Sequence, residues 1–243
     1  MKKIKRLILI PTITIVTIIT GLSITLACMQ KKEQNGRELL RALQKNDTYT
    51  AKALLSSWLI DCNRMDNDER TPLLIAAARG NTEIVNLLLS KPDIDVNKCE
   101  QVMCIGERTK GRTPLYFAAW HGHTEIVKLL LDYPGIDVNK AQYYNRKTPL
   151  NIAATNGRTE IVKLLLNFPG IDVNKADYDN KTPLNNAVTN GRTEIVKLLL
   201  DYPGIDVNKA DMYYKKTPLD NAIMKGHTEI VELLKKAGAK EKK

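Results

Sequence analysis

The chain has 243 residues, 43% of them apolar and 26% charged, with a formal charge of +10. That balance excludes wholesale disorder and a polytopic membrane protein, and four cysteines are too few for a disulfide-stapled miniprotein. The excess of 37 Lys and Arg over 27 Asp and Glu raises a nucleic-acid reading that depends on where the cations sit.

The first element, residues 1–28, reads as an export signal or membrane anchor. Lys2, Lys3, Lys5 and Arg6 precede a stretch without charge from Leu7 to Ala27. Cations before such a stretch stay in the cytoplasm while it enters the membrane. Three outcomes follow, and all of them export the body to the periplasm or the exterior. Leu26-Ala27-Cys28 resembles the end of a bacterial lipoprotein signal, which makes Cys28 the lipid-attachment residue, although Thr25 stands where a large aliphatic residue is usual. Thr25 and Ala27 are also small enough for ordinary signal-peptidase cleavage and free secretion. Left uncleaved, about 20 apolar residues are enough to cross a bilayer as a helix, with Pro11, Gly21 and the threonines weakening that use. Residues 29–36 are polar and read as a short tether.

The body repeats one pattern. Thr-Pro-Leu recurs at Thr71, Thr113, Thr148, Thr182 and Thr217, at spacings of 42, 35, 34 and 35. In the copy at Thr148, the threonine can cap a helix and Pro149 suits its first position. Leu150, Ala153 and Ala154 form a narrow apolar stripe, and Gly157 fits a left-handed stop. Thr159 is expected to cap a second helix with a broad face of Ile161, Val162, Leu164, Leu165 and Leu166. Pro169-Gly170 ends it, and Ile171 begins an extended turn. Leu39, Ala42, Leu54, Leu55 and Cys62 fall in phase with this pattern, giving a degenerate first copy with Cys62 in place of a buried valine. At the far end, Lys235 and Lys236 replace apolar residues. Both ends therefore read as caps.

Helix, turn, helix and loop at this period resemble the ankyrin repeat. The resemblance implies an all-α solenoid of about six helix–turn–helix repeats with hairpin finger loops, spanning residues 37–240. The repeats fall at about 37–70, 71–112, 113–147, 148–181, 182–216 and 217–240, with 241–243 a basic tail. The family's histidine after Thr-Pro-Leu is replaced by Leu74, Tyr116, Asn151, Asn185 and Asp220, which predicts less rigid fingers. His123 and His227 keep the family's Gly-His position.

No phosphate loop, nucleophile elbow or zinc signature interrupts the repeats, so neither catalysis nor a cofactor is expected. Glu83, Glu125, Glu160, Glu194 and Glu229 recur at the starts of second helices, where a carboxylate favours the helix dipole. Variation concentrates in the fingers and along the first helices, which line the concave groove of ankyrin-like proteins. Tyr116, Trp120, His121, Tyr143, Tyr144, Tyr178, Met212, Tyr213 and Tyr214 stand there, and exposed Tyr and Trp are typical interface anchors. The alternative is that Tyr143, Tyr178 and Tyr213 pack against neighbouring fingers. Tyr133, Phe168 and Tyr202 recur before Pro-Gly and read as scaffold. The finger between Asn97 and Thr113 holds eight more residues than the one between Asn174 and Thr182. Its Cys99 and Cys104 can form a disulfide, remain two thiols, or act as a redox pair or metal site.

The expected function is that of a non-enzymatic, exported, membrane-tethered scaffold, monomeric, that binds a protein partner through groove and fingers. The alternatives are a redox-stress or accessory protein working through the Cys99/Cys104 finger, and an effector delivered to another cell. Four of the ten net charges lie in the leader and four in residues 235–243, so residues 29–234 carry only +2. Nucleic acid is therefore not an expected partner.

Overall fold

The computed structural model describes residues 4–100 and 111–241, with side chains described from residue 21 onward. Among the described residues it holds twelve helices and no strand. The first helices of successive units are α1 (Ile4–Gln44), α3 (Pro72–Arg79), α5 (Pro114–His121), α7 (Pro149–Asn156), α9 (Pro183–Thr189) and α11 (Pro218–Lys225). The second helices are α2 (Thr48–Leu55), α4 (Thr82–Leu89), α6 (Thr124–Leu131), α8 (Thr159–Leu166), α10 (Thr193–Leu200) and α12 (Thr228–Lys236). Each second helix packs on its own first helix, and each row packs on its neighbours in chain order, so the molecule is two helical layers six units long.

Local chemistry sets the helix ends. Thr71, Thr113, Thr148, Thr182 and Thr217 cap the first helices by accepting the N–H three residues on, and proline follows each. Gly80, Gly122, Gly157 and Gly226 end four of them in the left-handed conformation. The core lies between the layers. Leu73, Leu115, Leu150, Leu184 and Leu219 with paired small residues meet Ile84, Ile126, Ile161, Ile195 and Ile230 from the second row. Alanines let first helices approach more closely than the Ile-Val-Leu faces do, which turns the first-helix face inward.

Three expectations change. Residues 29–36 are not a tether but part of α1, which runs unbroken to Gln44. Lys, Glu and Gln favour helix there, and Arg37 pairs with Glu33 one turn away at 3.3 Å. The segment also packs on the first unit: Asn35 Nδ2 donates to the Leu59 carbonyl at 2.5 Å, and Arg64 meets Glu33 at 2.9 Å.

In the second helices the cap falls one residue before the expected threonine, which is itself the first helical residue. Asp47 and Asn81 each make a side-chain capping bond, while His123, Arg158, Arg192 and His227 hold the cap positions without one. These side chains reach across to the preceding unit instead. Arg158 Nε donates to the Trp120 carbonyl and Arg192 Nε to the Thr155 carbonyl, both at 3.4 Å, while His123 Nε2 lies 3.3 Å from the Ala78 carbonyl. Each lies over the preceding glycine: a Cβ on Gly80 would sit 2.6 Å from the His123 ring, and one on Gly122 would sit 2.9 Å from the Arg158 guanidinium.

The two loops that enter the helices at Thr182 and Thr217 are also better braced than the missing histidine predicts. Asn151 Nδ2 donates to the Lys175 and Lys181 carbonyls, both at 3.3 Å, and Asn185 Nδ2 to the Lys209 carbonyl at 3.0 Å.

Among the described residues, no helix is long and apolar enough to cross a membrane. Most of the Leu7–Ala27 run lies outside the residues whose side chains are described.

Candidate interaction surface

The surface is built on five fingers, numbered 1 to 5 as the loops that enter the first helices at Thr71, Thr113, Thr148, Thr182 and Thr217, with residues 101–110 of finger 2 outside the described residues. A row of asparagines holds their bases in register. Asn97 Nδ2 donates to the Gly135 carbonyl at 2.7 Å while its Oδ1 accepts the Asp137 N–H at 2.9 Å. Asn139 and Asn174 repeat the bond pair one and two units on. Neighbouring fingers also join by backbone: Tyr178 N–H donates to the Asn145 carbonyl and Met212 N–H to the Asp179 carbonyl, both at 2.8 Å. A buried polar residue anchors each base, namely Asp66, Glu100, Gln142, Asp177 and Asp211.

The expected aromatic residues divide into three groups. Tyr116 is the correction: it is 2% exposed and belongs to the core. Its position after Thr-Pro-Leu points into the joint between finger and helix, where Leu74 is equally buried. There it meets Phe117 and Trp120 edge-on, and burial pushes its phenol up to about 12.

Trp120 and His121 lie on the groove side of α5, half-buried and exposed respectively. Trp120 stacks on Phe117 and His121, and His121 stacks on His123 at 5.8 Å. Arg112 covers this platform, its guanidinium 4.5 Å from the Phe117 ring centre and 5.4 Å from that of Trp120. Glu100 holds Arg112 in place through Nη2 at 3.1 Å. Burial, then the charges of His123, Arg158 and Arg112, lower the His121 pKa. Phe117 and Arg112 were not among the expected residues; an arginine just before a capping threonine is their one signal in the sequence.

The third group lines the finger edge. Tyr143, Tyr144, Tyr178, Met212, Tyr213 and Tyr214 are all exposed, from 44% at Met212 to 86% at Tyr143. Tyr144, Tyr178 and Tyr213, from three successive fingers, meet around a cleft of about 390 Å³ with Asn145, Lys147, Asp177 and Asp179. Tyr143 lies with its backbone and Cβ against Gly111, and Tyr214 carries the Lys216 ammonium 5.5 Å above its ring. Tyr133, Phe168 and Tyr202 pack half-buried against the core.

Cys28 and Cys99 are half-buried with free thiols, whereas Cys104 lies outside the described residues. Cys62 is fully buried, and burial, then the Asp93 charge, pushes its thiol up to about 11. Among the described residues, no three or more His, Cys, Asp or Glu side chains are grouped to hold a metal ion.

Comparison with known proteins agrees with this architecture. A family model described as ankyrin repeats (3 copies) matches residues 39–142, 140–211 and 178–243. Among solved structures, the chain is similar to a crystal structure of EF0377, an ankyrin repeat protein. The two are 30% identical with a TM-score of 0.72, and the match covers 82% of this chain and 97% of the other. A search of curated proteins returned no match.

Proposed function

We propose that this chain, which belongs to the ankyrin-repeat family, is an exported, membrane-tethered scaffold that holds a protein partner against its first-helix groove and finger edge. Ankyrin repeats generally mediate protein–protein interaction, and the family is typically non-enzymatic. The observation that carries the reading is the finger edge. It presents five exposed tyrosines and a methionine on hairpins already locked to one another by backbone bonds. Tyrosine buries a large area with few rotatable bonds, and a pre-ordered edge loses little further entropy on binding. Trp120 on its arginine-covered platform supplies a second anchor within the groove. Export and tethering rest on the four leading cations, the apolar run to Ala27 and Cys28.

Two measurements test the proposal. Pull-down with the full chain is expected to recover a partner that a Trp120→Ala/Tyr144→Ala variant loses, and undiminished capture by that variant would remove the surface. Mass spectrometry of the mature N-terminus is expected to find a lipid on Cys28. An intact Met1 would leave a helical anchor in its place, and an unmodified new terminus would remove the tether.

A further inference from the structure

Fingers 3 and 5 share a tip that finger 4 between them lacks. Finger 3 is closed by Gln142 N–H to the Lys147 carbonyl, and finger 5 by Asp211 N–H to the Lys216 carbonyl. Each carries two tyrosines followed by two cations: Tyr143 and Tyr144 with Arg146 and Lys147, then Tyr213 and Tyr214 with Lys215 and Lys216. Finger 4 between them is one residue shorter, closed from Asp177 to Lys181, and its own charges offset one another, Lys181 lying 3.9 Å from Asp179.

The backbone singles out one cation in each tip. Arg146 has φ 56° and Lys215 φ 53°, in the left-handed region. The corresponding place holds Glu69 at φ 55° in finger 1, Gly111 in finger 2 and Asn180 in finger 4, glycine and asparagine being the types that adopt this conformation most readily. An arginine and a lysine there carry a conformational cost, and the fold gains nothing visible in return. Neither side chain makes a hydrogen bond or ion pair among the described residues. A cost without a structural return points to a role outside the fold.

We propose that Arg146 and Lys215 read negative charge, and that the edge they bracket takes an extended, carboxylate-rich segment of a partner protein. This rests on the partner-binding reading above and names the chemistry of the partner. With helices packed 8–10 Å apart, tips two units apart stand roughly 20 Å from each other. About six or seven extended residues span that distance. Between the tips, Tyr144, Tyr178 and Tyr213 present flat apolar ring faces around the cleft. Asp177 and Asp179 also line the cleft, but Asp177 is 6% exposed and Asp179 faces Lys181 at 3.9 Å, and the cations Arg146, Lys147, Lys181, Lys215 and Lys216 outnumber the two carboxylates.

The test uses the full chain in detergent micelles and a fluorescent peptide of about ten residues alternating glutamate and glycine. A lysine–glycine peptide and vesicles containing phosphatidylglycerol serve as comparisons. The glutamate peptide is expected to bind, weakening as salt rises. Arg146→Gly/Lys215→Gly is expected to weaken it at least tenfold with Tm unchanged or higher, which separates lost recognition from lost folding. Glu69→Gly relieves the same backbone position in finger 1 and is expected to leave the affinity unchanged. Full affinity in the Arg146→Gly/Lys215→Gly chain overturns the proposal, as does equal binding of the lysine peptide or binding to vesicles alone. If that variant still captures the native partner while Trp120→Ala/Tyr144→Ala loses it, the tips fall and the interaction surface stands. If neither variant loses the partner, the interaction surface itself falls.

Discussion

Asn151 shows how one side chain replaces a missing histidine. Its Oδ1 accepts from the Thr148 hydroxyl at 2.6 Å, its backbone N–H donates to that hydroxyl oxygen, and its Nδ2 ties two carbonyls of the following finger. One residue thus caps a helix and braces a loop, both from a fully buried position. Asn151→Ala leaves those carbonyls unpaired and is expected to cost about 1–2 kcal/mol. Denaturant unfolding measures the loss, and amide exchange should quicken across residues 175–182 while finger 1 stays protected. Unchanged exchange across residues 175–182 would show that Asn151 only caps. Cys62 illustrates the opposite case, a reactive residue type made inert: its raised thiol and full burial keep the thiolate away from solvent.

At the scale of the element, two fingers of the same shape respond to acid in opposite directions. In finger 1, burial works to raise the Asp66 pKa but is outweighed by hydrogen bonds from the Arg70 backbone and side chain and from Gln44. The carboxyl therefore titrates below its ordinary 3.8. A depressed folded value means that its stabilisation is present above 3.8 and is lost as pH falls through the folded value. In finger 4, burial raises the Asp177 pKa above 3.8 despite bonds and charges from Lys181, Lys147 and Asn186. Protonating Asp177 relieves that burial cost, so finger 4 gains stability as pH falls through its folded value toward 3.8. Amide exchange followed through the acid range is expected to loosen residues 66–70 while the amides of 177–181 hold or tighten. Asp66→Asn should flatten the first response and leave the second in place. Parallel loosening of both fingers would contradict the assignment.

Among the described residues the helices pack chiefly on those of their own and the adjacent unit, so the whole molecule is a chain of nearest-neighbour joints. The asparagine row and the His and Arg side chains over the preceding glycines stitch each joint, so damage should stay local. The start of the body is one such joint. Residues 29–36 bring Asn35 to the Leu59 carbonyl, Glu33 to Arg64 and Lys32 to Asp93, two of these being exposed ion pairs of small worth. A chain beginning at Arg37 is expected to be about 1–3 kcal/mol less stable than one beginning at Cys28, with Asn35 contributing most. Thermal unfolding of the two compares them directly. Equal stability would return the segment to the role of a tether. Processing at Cys28 spares all three contacts.

The repeat period, the six-unit solenoid and nearly every first-helix end are legible in the sequence because they rest on local signals. Thr-Pro starts a helix and glycine stops one wherever they occur. The leader's charge pattern and the basic tail are equally local, which is how the +10 divides without any structure. What lies across the chain is not legible in that way. Tyr116 and Tyr144 are the same residue type in variable positions, and only packing decides that one fills the core while the other lines a cleft. The tether became helix because partners about 25–60 residues away capture its face. The cap position falls at Arg158 and not at Thr159, and the Arg158 side chain serves a carbonyl of the neighbouring unit. The cost at Arg146 and Lys215 is invisible until the backbone is known, since a dibasic turn in a sequence does not disclose the sign of φ.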